Sequence, residues 1–495
     1  VGDVAGRVTG GTRAVVIGAP ASGSGKTTVA TGLMAALARR GTVVAPFKVG
    51  PDYIDPGYHT LAAGRPGRNL DPVLVGDAQI APLARHGSAG AEIAVVEGVM
   101  GLFDGRLADG AGSTAHVAGL LGAPVVLVVD CRGQSRSLAA LLHGFRSFDP
   151  GPGGAGTGRV NLAGVVLNRV GSARHEDVLR AAAGEVGLPV LGALPRRDVL
   201  AVPSRHLGLV TAVEHGAAAT AAVDAMAELV AEHVDLDAVV AVAAPLPAGP
   251  AWSPAVQTGR AGERPHPRTA VFGGAAFTFG YAEHVELLEA AGAEVVVVDP
   301  LRDERLPEGT CALVLPGGFP EEHVAALGAN APLRAAVRAL AASGAPVHAE
   351  CGGLLYLCDT LDGAPMCGVL RATAAMTGRV TLGYRDAVAV ADSAAFRTGE
   401  RVTGHEFHHC AVTPRAGQAV TSWAGQAVTP RAGQAVTPWA GPAAAWAWRG
   451  GGPEGFVAGG VHASFLHTHP AGNPAAVARF VAAGRVSRTN PRSHR

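Results

Sequence analysis

Short apolar runs of strand length recur along the chain, each followed by residues whose apolar positions fall at helical spacing. The first set comprises Ala14–Ile17, Val43–Phe47, Ile93–Val96, Pro124–Val129 and Leu162–Leu167. Strand-like and helical runs in alternation predict a parallel sheet covered by helices. A Pro-rich stretch without periodicity follows at 245–268. The alternation then resumes with Ala270–Phe272, a helical run over Ala282–Ala291, and strands at Glu294–Val298, Ala312–Leu315 and Val347–Ala349. The pattern therefore predicts two α/β domains, 1–244 and 269–485, joined by a linker at 245–268. Three stretches fall outside it. PGPGGAGTG at 150–158 reads as a surface loop. Residues 411–442 are four tandem octads, AVTPRAGQ, AVTSWAGQ, AVTPRAGQ and AVTPWAGP. So short a Pro/Gly repeat buries no core, so it predicts a flexible insertion in the second domain, with Trp423 and Trp439 as its large apolar side chains. The closing RVSRTNPRSHR, 485–495, reads as a loose tail.

Composition narrows the class. The 495 residues are 48% hydrophobic and 16% charged, as in globular proteins, with a formal net charge of +0 that favours neither nucleic acid nor an anionic membrane. The apolar runs are far shorter than the ~20 residues a membrane-spanning helix needs, and no signal segment is visible at the N-terminus. Six Cys without C-x-x-C pairs point to a reduced, cytoplasmic setting and away from a disulfide framework or structural zinc. Only two of the 40 basic residues are Lys, and these are Lys26 and Lys48. A compact ammonium and a planar guanidinium are not interchangeable around phosphate, so two lysines kept within one short segment mark a candidate phosphate site.

Lys26 lies in APASGSGKTT, 19–28, between the first apolar run and a helical run at Val29, Leu33 and Leu37. Strand, glycine-rich turn and helix N-terminus form a cradle for phosphate oxygens, here from Gly23, Ser24, Gly25, Lys26, Thr27 and Thr28. Pro20 stands where the strict G-x-x-x-x-G-K-[ST] pattern has its first Gly. Lys48, Asp52, Glu97, Asp104, Asp130 and Asn168 all fall at or just after strand ends, where open parallel sheets gather ligands. A Mg-nucleotide site needs a hydroxyl and one or two carboxylates, which Thr27, Asp52 and Glu97 supply. Asp104 is close enough to act on substrate or metal, and Asn168 is a candidate contact to the nucleobase. Partition-type ATPases carry an early Lys in this loop. Its absence here favours a synthetase of the dethiobiotin-synthetase type over a nucleotide switch.

In the second domain, PVHAECGGLLYL, 346–357, sets Cys351 between a strand and a helical run, with two glycines immediately after it. That turn presents a nucleophile, aims backbone N–H groups at an oxyanion and favours a thiolate. PGGFPE, 316–321, is a second turn able to donate N–H groups. GGVHASFLHTHP, 459–470, offers His462, His467 and His469 as the base.

These strings occur in a set: APxSGxGKT (19–27), KVGPDYIDP (48–56), EGVMGLFDG (97–105), RHLGLV (205–210), PLRDExLP (300–307), PGGFPE, AECGGLLYL, LGYRDA (382–387), GHEFH (404–408) and VHASFLHTH (461–469). In number and order they resemble the cobyrinic or hydrogenobyrinic acid a,c-diamide synthases over nearly the whole chain. The resemblance implies an α/β protein with an N-terminal P-loop, dethiobiotin-synthetase-like parallel sheet domain and a C-terminal class I glutamine-amidotransferase-like α/β domain. It implies a cytoplasmic ligase of cobalamin biosynthesis, compatible with a homodimer. Such an enzyme uses ATP, Mg²⁺ and glutamine to amidate the a and c carboxylates of the corrinoid through acyl phosphates. On it, Cys351 is the nucleophile and His467 its partner, Lys26 and Thr27 belong to the phosphate loop, and Asp52, Glu97 and Asp104 serve the synthetase half-reaction. Arg205 and Arg385 are candidates to hold the remaining carboxylates. Three features depart from the pattern: Phe465 where Tyr is usual, Pro470 where an aromatic is common, and the octads. Class I glutaminases also carry a Glu two residues after the His. Position 469 is His, so a third triad member is absent or comes from elsewhere, which also counts against CTP synthase. Competing readings are a cobyric acid synthase, a P-loop switch protein and a non-catalytic relative.

Overall fold

The computed structural model describes residues 11–149, 158–196, 211–259, 266–415 and 443–489. The chain divides into two compact units, Val1–Ser253 and Pro254–Arg495. The first is built on strands β1 (Arg13–Gly18), β2 (Val44–Val49), β3 (Arg68–Leu70), β4 (Ile93–Glu97), β5 (Val125–Asp130), β6 (Leu162–Val170) and β7 (Val190–Pro195). They form a parallel sheet in the order β3-β2-β4-β1-β5-β6-β7, and β8 (Ala244–Pro245) adds an antiparallel pairing to β1. The five apolar runs are β1, β2, β4, β5 and β6; most of their residues are buried, as a sheet covered on both faces requires. β3 is three residues long and β7 contains Gly and Pro, so neither shows as an apolar run. With β1 between β4 and β5, the chain leaves β1 in both directions, and the crevice at their carboxyl ends is the natural ligand site.

The segment expected to be a free linker is partly structured. Leu246 donates its backbone N–H to Thr12 O at 3.0 Å, and Arg85 donates to the carbonyls of Pro247 (2.6 Å) and Pro250. Trp252 is buried against the first unit at 3% exposure, with its backbone N–H on Pro82 O. Prolines lack the N–H needed for a ladder but keep their carbonyls, and Arg85 satisfies two of these here. Pro254–Thr258 is a short helix, and 260–265 lie outside the described residues.

In the second unit, β9 (Arg268–Phe272), β10 (Glu294–Val298), β11 (Thr310–Leu315) and β12 (Val347–Glu350) are the expected strands. A second sheet, which no apolar run announces, is built from β13 (Thr360–Leu361), β14 (Ala364–Pro365) and the long strands β15 (Ala372–Ala389) and β16 (Arg401–Pro414). After them come β17 (Trp446–Trp448), β18 (Phe456–Ala458), β19 (Val461–Ser464) and β20 (His467–Thr468). One sheet runs β10-β9-β11-β12-β19-β18, parallel except for β18; the other runs β14-β13-β15-β16-β20, with β17 also on β15. The chain changes sheets between β19 and β20, within three residues of His467. Phe272, Phe277 and Tyr356 pack edge-on and tilted against one another in the core, fixing the helix Gly352–Leu357 beside the parallel sheet.

Two expectations at the unit's edges change. Ala411–Pro414, the start of the first octad, continues β16 and pairs with Ala372–Ala375; the remaining repeats, 416–442, with Trp423 and Trp439, lie outside the described residues. The helix Pro474–Thr489 runs into the expected tail, where Arg485 donates to Ala291 O at 2.8 Å. Most of the loop 150–158, and RHLGLV with Arg205, also lie outside the described residues.

Gly32, in the helix Lys26–Arg39, marks a close crossing with the helix Ala212–His233: a Cβ there would lie 2.5 Å from Met226 O and 2.6 Å from Val230 Cγ2. Gly→Ala in a helix ordinarily gains about 1 kcal/mol. Here a backbone carbonyl blocks the methyl, so overpacking should dominate, and Gly32→Ala should destabilise the first unit by about 1–2 kcal/mol. The check is a denaturant midpoint; an increase would show that the crossing relaxes freely.

Candidate active sites

In the first unit the loop after β1 turns through Gly23 (φ 76) and Gly25 (φ 100), a backbone region that residues with a Cβ rarely enter, and Gly25 precedes the helix Lys26–Arg39. Ser24 Oγ donates to Ala21 O, and Thr28 lies half-buried in the first helical turn. Asn168, expected at the nucleobase, donates its amide to Ser24 O at 2.8 Å, while Arg169 donates to Gly23 O. The end of β6 thus braces the loop from outside, and in this state the Asn168 amide is committed to it. Lys26 Nζ donates to Met100 O at 2.5 Å and lies 3.4 Å from Ala21 O. Burial, and then the charge of Lys48, lower its pKa to about 8. Phosphate oxygens would supply the negative charge it lacks.

Lys48 does not face the loop as a phosphate donor. Its ammonium donates to Asp55 Oδ2 (2.5 Å), Glu97 Oε1 (3.0 Å) and Gly98 O (3.2 Å), with the side chain 4% exposed. Burial alone would lower its pKa; the charges of Asp55, Glu97 and Asp52 outweigh that and raise it above the ordinary lysine value. Glu97 also accepts from Thr27 Oγ1 at 2.6 Å and meets His59 Nε2 at 2.7 Å. Burial pushes its carboxyl up, but Lys48, His59 and Thr27 prevail and hold it well below the carboxylate range. Asp55 moves the other way, raised by burial and by the neighbouring charges of Asp52 and Glu97. Asp52 stands at the rim, accepting the N–H groups of Ile54 and Asp55 with its Oδ2 3.9 Å from Lys48. Asp104 is exposed, accepts the Gly101 N–H and adds negative potential at Lys26.

Thr27, Glu97 and Lys48 therefore converge, with Asp55 and His59, two residues that sequence reasoning passed over. The signal was present: Asp55 stands in the KVGPDYIDP string, and His59 follows it by four residues on one helical face.

In the second unit Cys351 follows β12 directly and adopts φ 47, ψ −103, a strained backbone for a residue with a Cβ. Its N–H donates to Ser464 O at 2.7 Å, which ties the turn to the end of β19. Glycine is needed at 352 because a Cβ there would lie 3.0 Å from Gly318 N; the PGGF turn is that close. Backbone N–H groups of both turns therefore gather beside the thiol. The sequence led one to expect a thiolate. Burial instead pushes the Cys351 thiol well above its ordinary pKa, with the charges of Cys410 and Glu321 adding to the effect. A helix of six residues does not offset that desolvation.

His467 is 1% exposed and sits on β20 opposite His405 of β16. A Cβ on Gly317 would lie 2.5 Å from its Cε1, so the PGGF turn presses against the imidazole. Its Nδ1 is 3.7 Å from Glu350 Oε2. His462 points into a buried cluster, stacked on His348 at 5.3 Å, where burial and then the charge of His348 lower its pKa to about 3. His469 accepts the Ala471 N–H and packs on Tyr281 at 4.1 Å. Of the three histidines, geometry places His467 beside the PGGF turn. Arg385, a candidate for substrate carboxylates, is paired internally with Glu406 at 2.7 Å and lies over the Trp448 ring.

Two family models match the chain. Residues 15–210 match the CobQ/CobB/MinD/ParA nucleotide binding domain, and residues 268–474 match the CobB/CobQ-like glutamine amidotransferase domain. The hydrogenobyrinate a,c-diamide synthase of Mycobacterium tuberculosis (strain ATCC 25618 / H37Rv) is 59% identical over 474 residues, covering 95% of this chain and 97% of its own length. That of Streptomyces coelicolor is 53% identical over 505 residues, covering 96% and 98%. The cobyrinate a,c-diamide synthase of Gloeobacter violaceus is 39% identical, covering 94% and 96%.

Glu454 braces the turn that carries His467. Its carboxyl meets Ser464 Oγ at 2.6 Å and the Phe465 N–H at 2.7 Å, and burial raises its pKa from 4.5 to about 7. A group whose folded pKa is raised adds stability that is complete below its unfolded value and lost as pH rises through the folded one. Glu454→Gln stays uncharged, so its stability relative to wild type should rise between pH 4.5 and about 7 and be level outside that window. Parallel stability–pH curves for the two proteins would refute this.

Proposed function

We propose that this chain, which belongs to the a,c-diamide synthase family, uses ATP and glutamine nitrogen to convert the a and c side-chain carboxylates of hydrogenobyrinic acid into amides, in cobalamin biosynthesis. The observation that carries the reading is that one chain holds both halves of such chemistry. A strained Cys351 sits where the chain packs on the PGGF turn, against which His467 also packs, and a phosphate loop opens onto a buried Lys48–Glu97–Asp55 cluster. The choice of the cobalt-free ring follows the relatives of greater identity.

In the glutaminase unit the thiol of Cys351 gives its proton to His467 and its sulfur attacks the glutamine amide carbon. N–H groups at Gly318 and Gly352 hold the developing oxyanion, a contribution of about 3 kcal/mol per donor. The imidazolium returns the proton to the departing nitrogen, ammonia leaves, and water hydrolyses the thioester to glutamate. In the synthetase unit a substrate carboxylate oxygen attacks the γ-phosphorus of ATP and ADP leaves. Ammonia then attacks the acyl carbon, phosphate departs, and the amide forms; the cycle runs once per carboxylate. ATP is required because a carboxylate is a poor acyl donor, whereas its mixed anhydride with phosphate has a good leaving group.

The polar groups around Thr27 fit Mg²⁺, which takes oxygen ligands. Thr27, Glu97 and Asp55 are the residues to hold it, with Asp52 at the rim. Asp55 Oδ1 is buried without a hydrogen-bond partner, an oxygen donor in reserve. Bound Mg²⁺ would offset phosphate charge, and Lys48 holds Glu97 ionised and Asp55 in place in its absence. The enzyme's partners are small molecules in the cytoplasm; among the described residues no helix is long and apolar enough to cross a membrane.

Cys351→Ser should lose glutamine-dependent amidation by at least about 10³-fold and keep amidation from ammonium salts. Mass spectrometry of products from hydrogenobyrinic and cobyrinic acids gives the readout, and loss with both nitrogen sources would overturn the division of labour. Glu97→Gln should abolish amidation from either source while Cys351 still forms its glutamyl thioester. Unchanged amidation would remove Glu97 from the site.

A further inference from the structure

We infer that Glu350, the residue immediately before the nucleophile, is the positioning partner of His467 and completes the glutaminase site from the neighbouring strand. The inference rests on the reading of Cys351 and His467 as the glutaminase pair. Position 469, two residues after the histidine, cannot serve: its imidazole caps the Pro470–Gly472 turn through the Ala471 N–H and packs on Tyr281. Glu350 ends β12, and its register partner on β19 is Ser464, three residues before His467. The parallel pairing thus delivers its carboxylate to the imidazole although 117 positions separate the two residues in the chain.

The carboxylate is fixed through one oxygen and aims the other at the imidazole. Oε1 accepts from Thr468 N (3.1 Å) and Thr468 Oγ1 (2.9 Å), and His348 Nε2 lies 3.2 Å away; Oε2 faces His467 Nδ1 at 3.7 Å. Thr468 is the neighbour of His467 on β20, so the same carboxylate orients the strand and the ring. The separation at Nδ1 is longer than a finished hydrogen bond, as is common before substrate binds. Glu350 stays ionised despite burial, which alone would raise its pKa, because His348 and His467 hold it well below the usual range. Charge at Nδ1 favours the tautomer protonated there, which makes Nε2 the basic nitrogen, and stabilises the imidazolium that forms when Cys351 loses its proton. His405 on β16 also faces His467; burial and then the charge of His467 lower its pKa to about 3, so it adds no negative charge there. Among the recorded contacts of the His467 ring, the negative charge comes from Glu350.

The test measures glutaminase kcat and KM across pH, and the rate of Cys351 alkylation by iodoacetamide, for the full chain and for Glu350→Gln and Glu350→Asp. Gln keeps an acceptor for Thr468 but removes the charge. It should lower kcat by roughly 10–100-fold with KM within about threefold, and the pH limb set by His467 should move to lower pH, with slower alkylation at neutral pH. Asp restores the charge and should recover both the limb and part of kcat. A Gln variant whose kcat and pH profile match wild type overturns the inference, as does an Asp variant no better than Gln. Wild-type protein that hydrolyses no glutamine would instead overturn the glutaminase reading itself.

Discussion

The buried ammonium of Lys48 is the interaction on which the first unit depends. A lysine charge 4% exposed would be too costly to desolvate alone, so the fold must bring negative groups to it. The sheet does this by register. Lys48 and Glu97 are direct partners across the parallel pair β2 and β4, and Ile17, one residue before the end of β1, is the partner of Glu97 on its other side. Asp55 enters from the first turn of the next helix. Glu97 then fixes the Thr27 hydroxyl, which places the start of the phosphate-loop helix, and His59 fixes Glu97. Removing Lys48 would leave the buried Glu97 carboxylate without its ammonium partner, so the fold around the phosphate loop depends on that pair.

The second unit uses the same geometry for different chemistry. Parallel strands end together, and the residues at those ends project into loops that a covered sheet leaves free. β11, β12 and β19 bring the PGGF turn, Cys351 and the chain toward His467 to one edge. The Cys351–Ser464 backbone hydrogen bond then closes β12 onto β19 at the nucleophile. Strain at Cys351 persists because the aromatic packing of Phe272, Phe277 and Tyr356 holds the helix that follows. In both units the working groups are set by strand register, and loop shape only refines them.

That is also why part of the molecule was legible in the sequence and part was not. Buried parallel strands write themselves as apolar runs, and nine of the strands were read that way. A phosphate loop and a nucleophile turn are local, so APASGSGKTT and AECGGLLYL announced both sites. The antiparallel sheet of β15 and β16 did not show, because its positions are largely half-exposed and carry Gly, Thr and His in place of an apolar run. Asp52 was chosen and Asp55 passed over because both sit in one string; only the helix that begins at Asp55 decides which turns inward. Asn168 and Arg385 read as free ligands since a sequence does not reveal that Ser24 O and Glu406 already occupy them.

The carboxylate we propose for the glutaminase site shows the limit most clearly. A search by spacing looks two residues beyond His467 and finds an imidazole spent on a turn. The carboxylate beside the ring comes from across a strand pair, adjacent in sequence to Cys351. That adjacency has an electrostatic consequence, since a negative charge next to a thiol also opposes its ionisation. The net effect of Glu350 is toward the imidazolium all the same, while burial keeps the thiol protonated. Burial dominates the rise in the Cys351 pKa and Glu350 contributes little to it, whereas at His467 the carboxylate oxygen lies 3.7 Å from Nδ1. Coulomb interaction falls with distance and with screening, so a charge aimed at the imidazole gains more in the imidazolium than it forfeits in the thiolate. The thiol is then neutral at rest, and the position of the proton between Cys351 and His467 is left for the bound amide to decide.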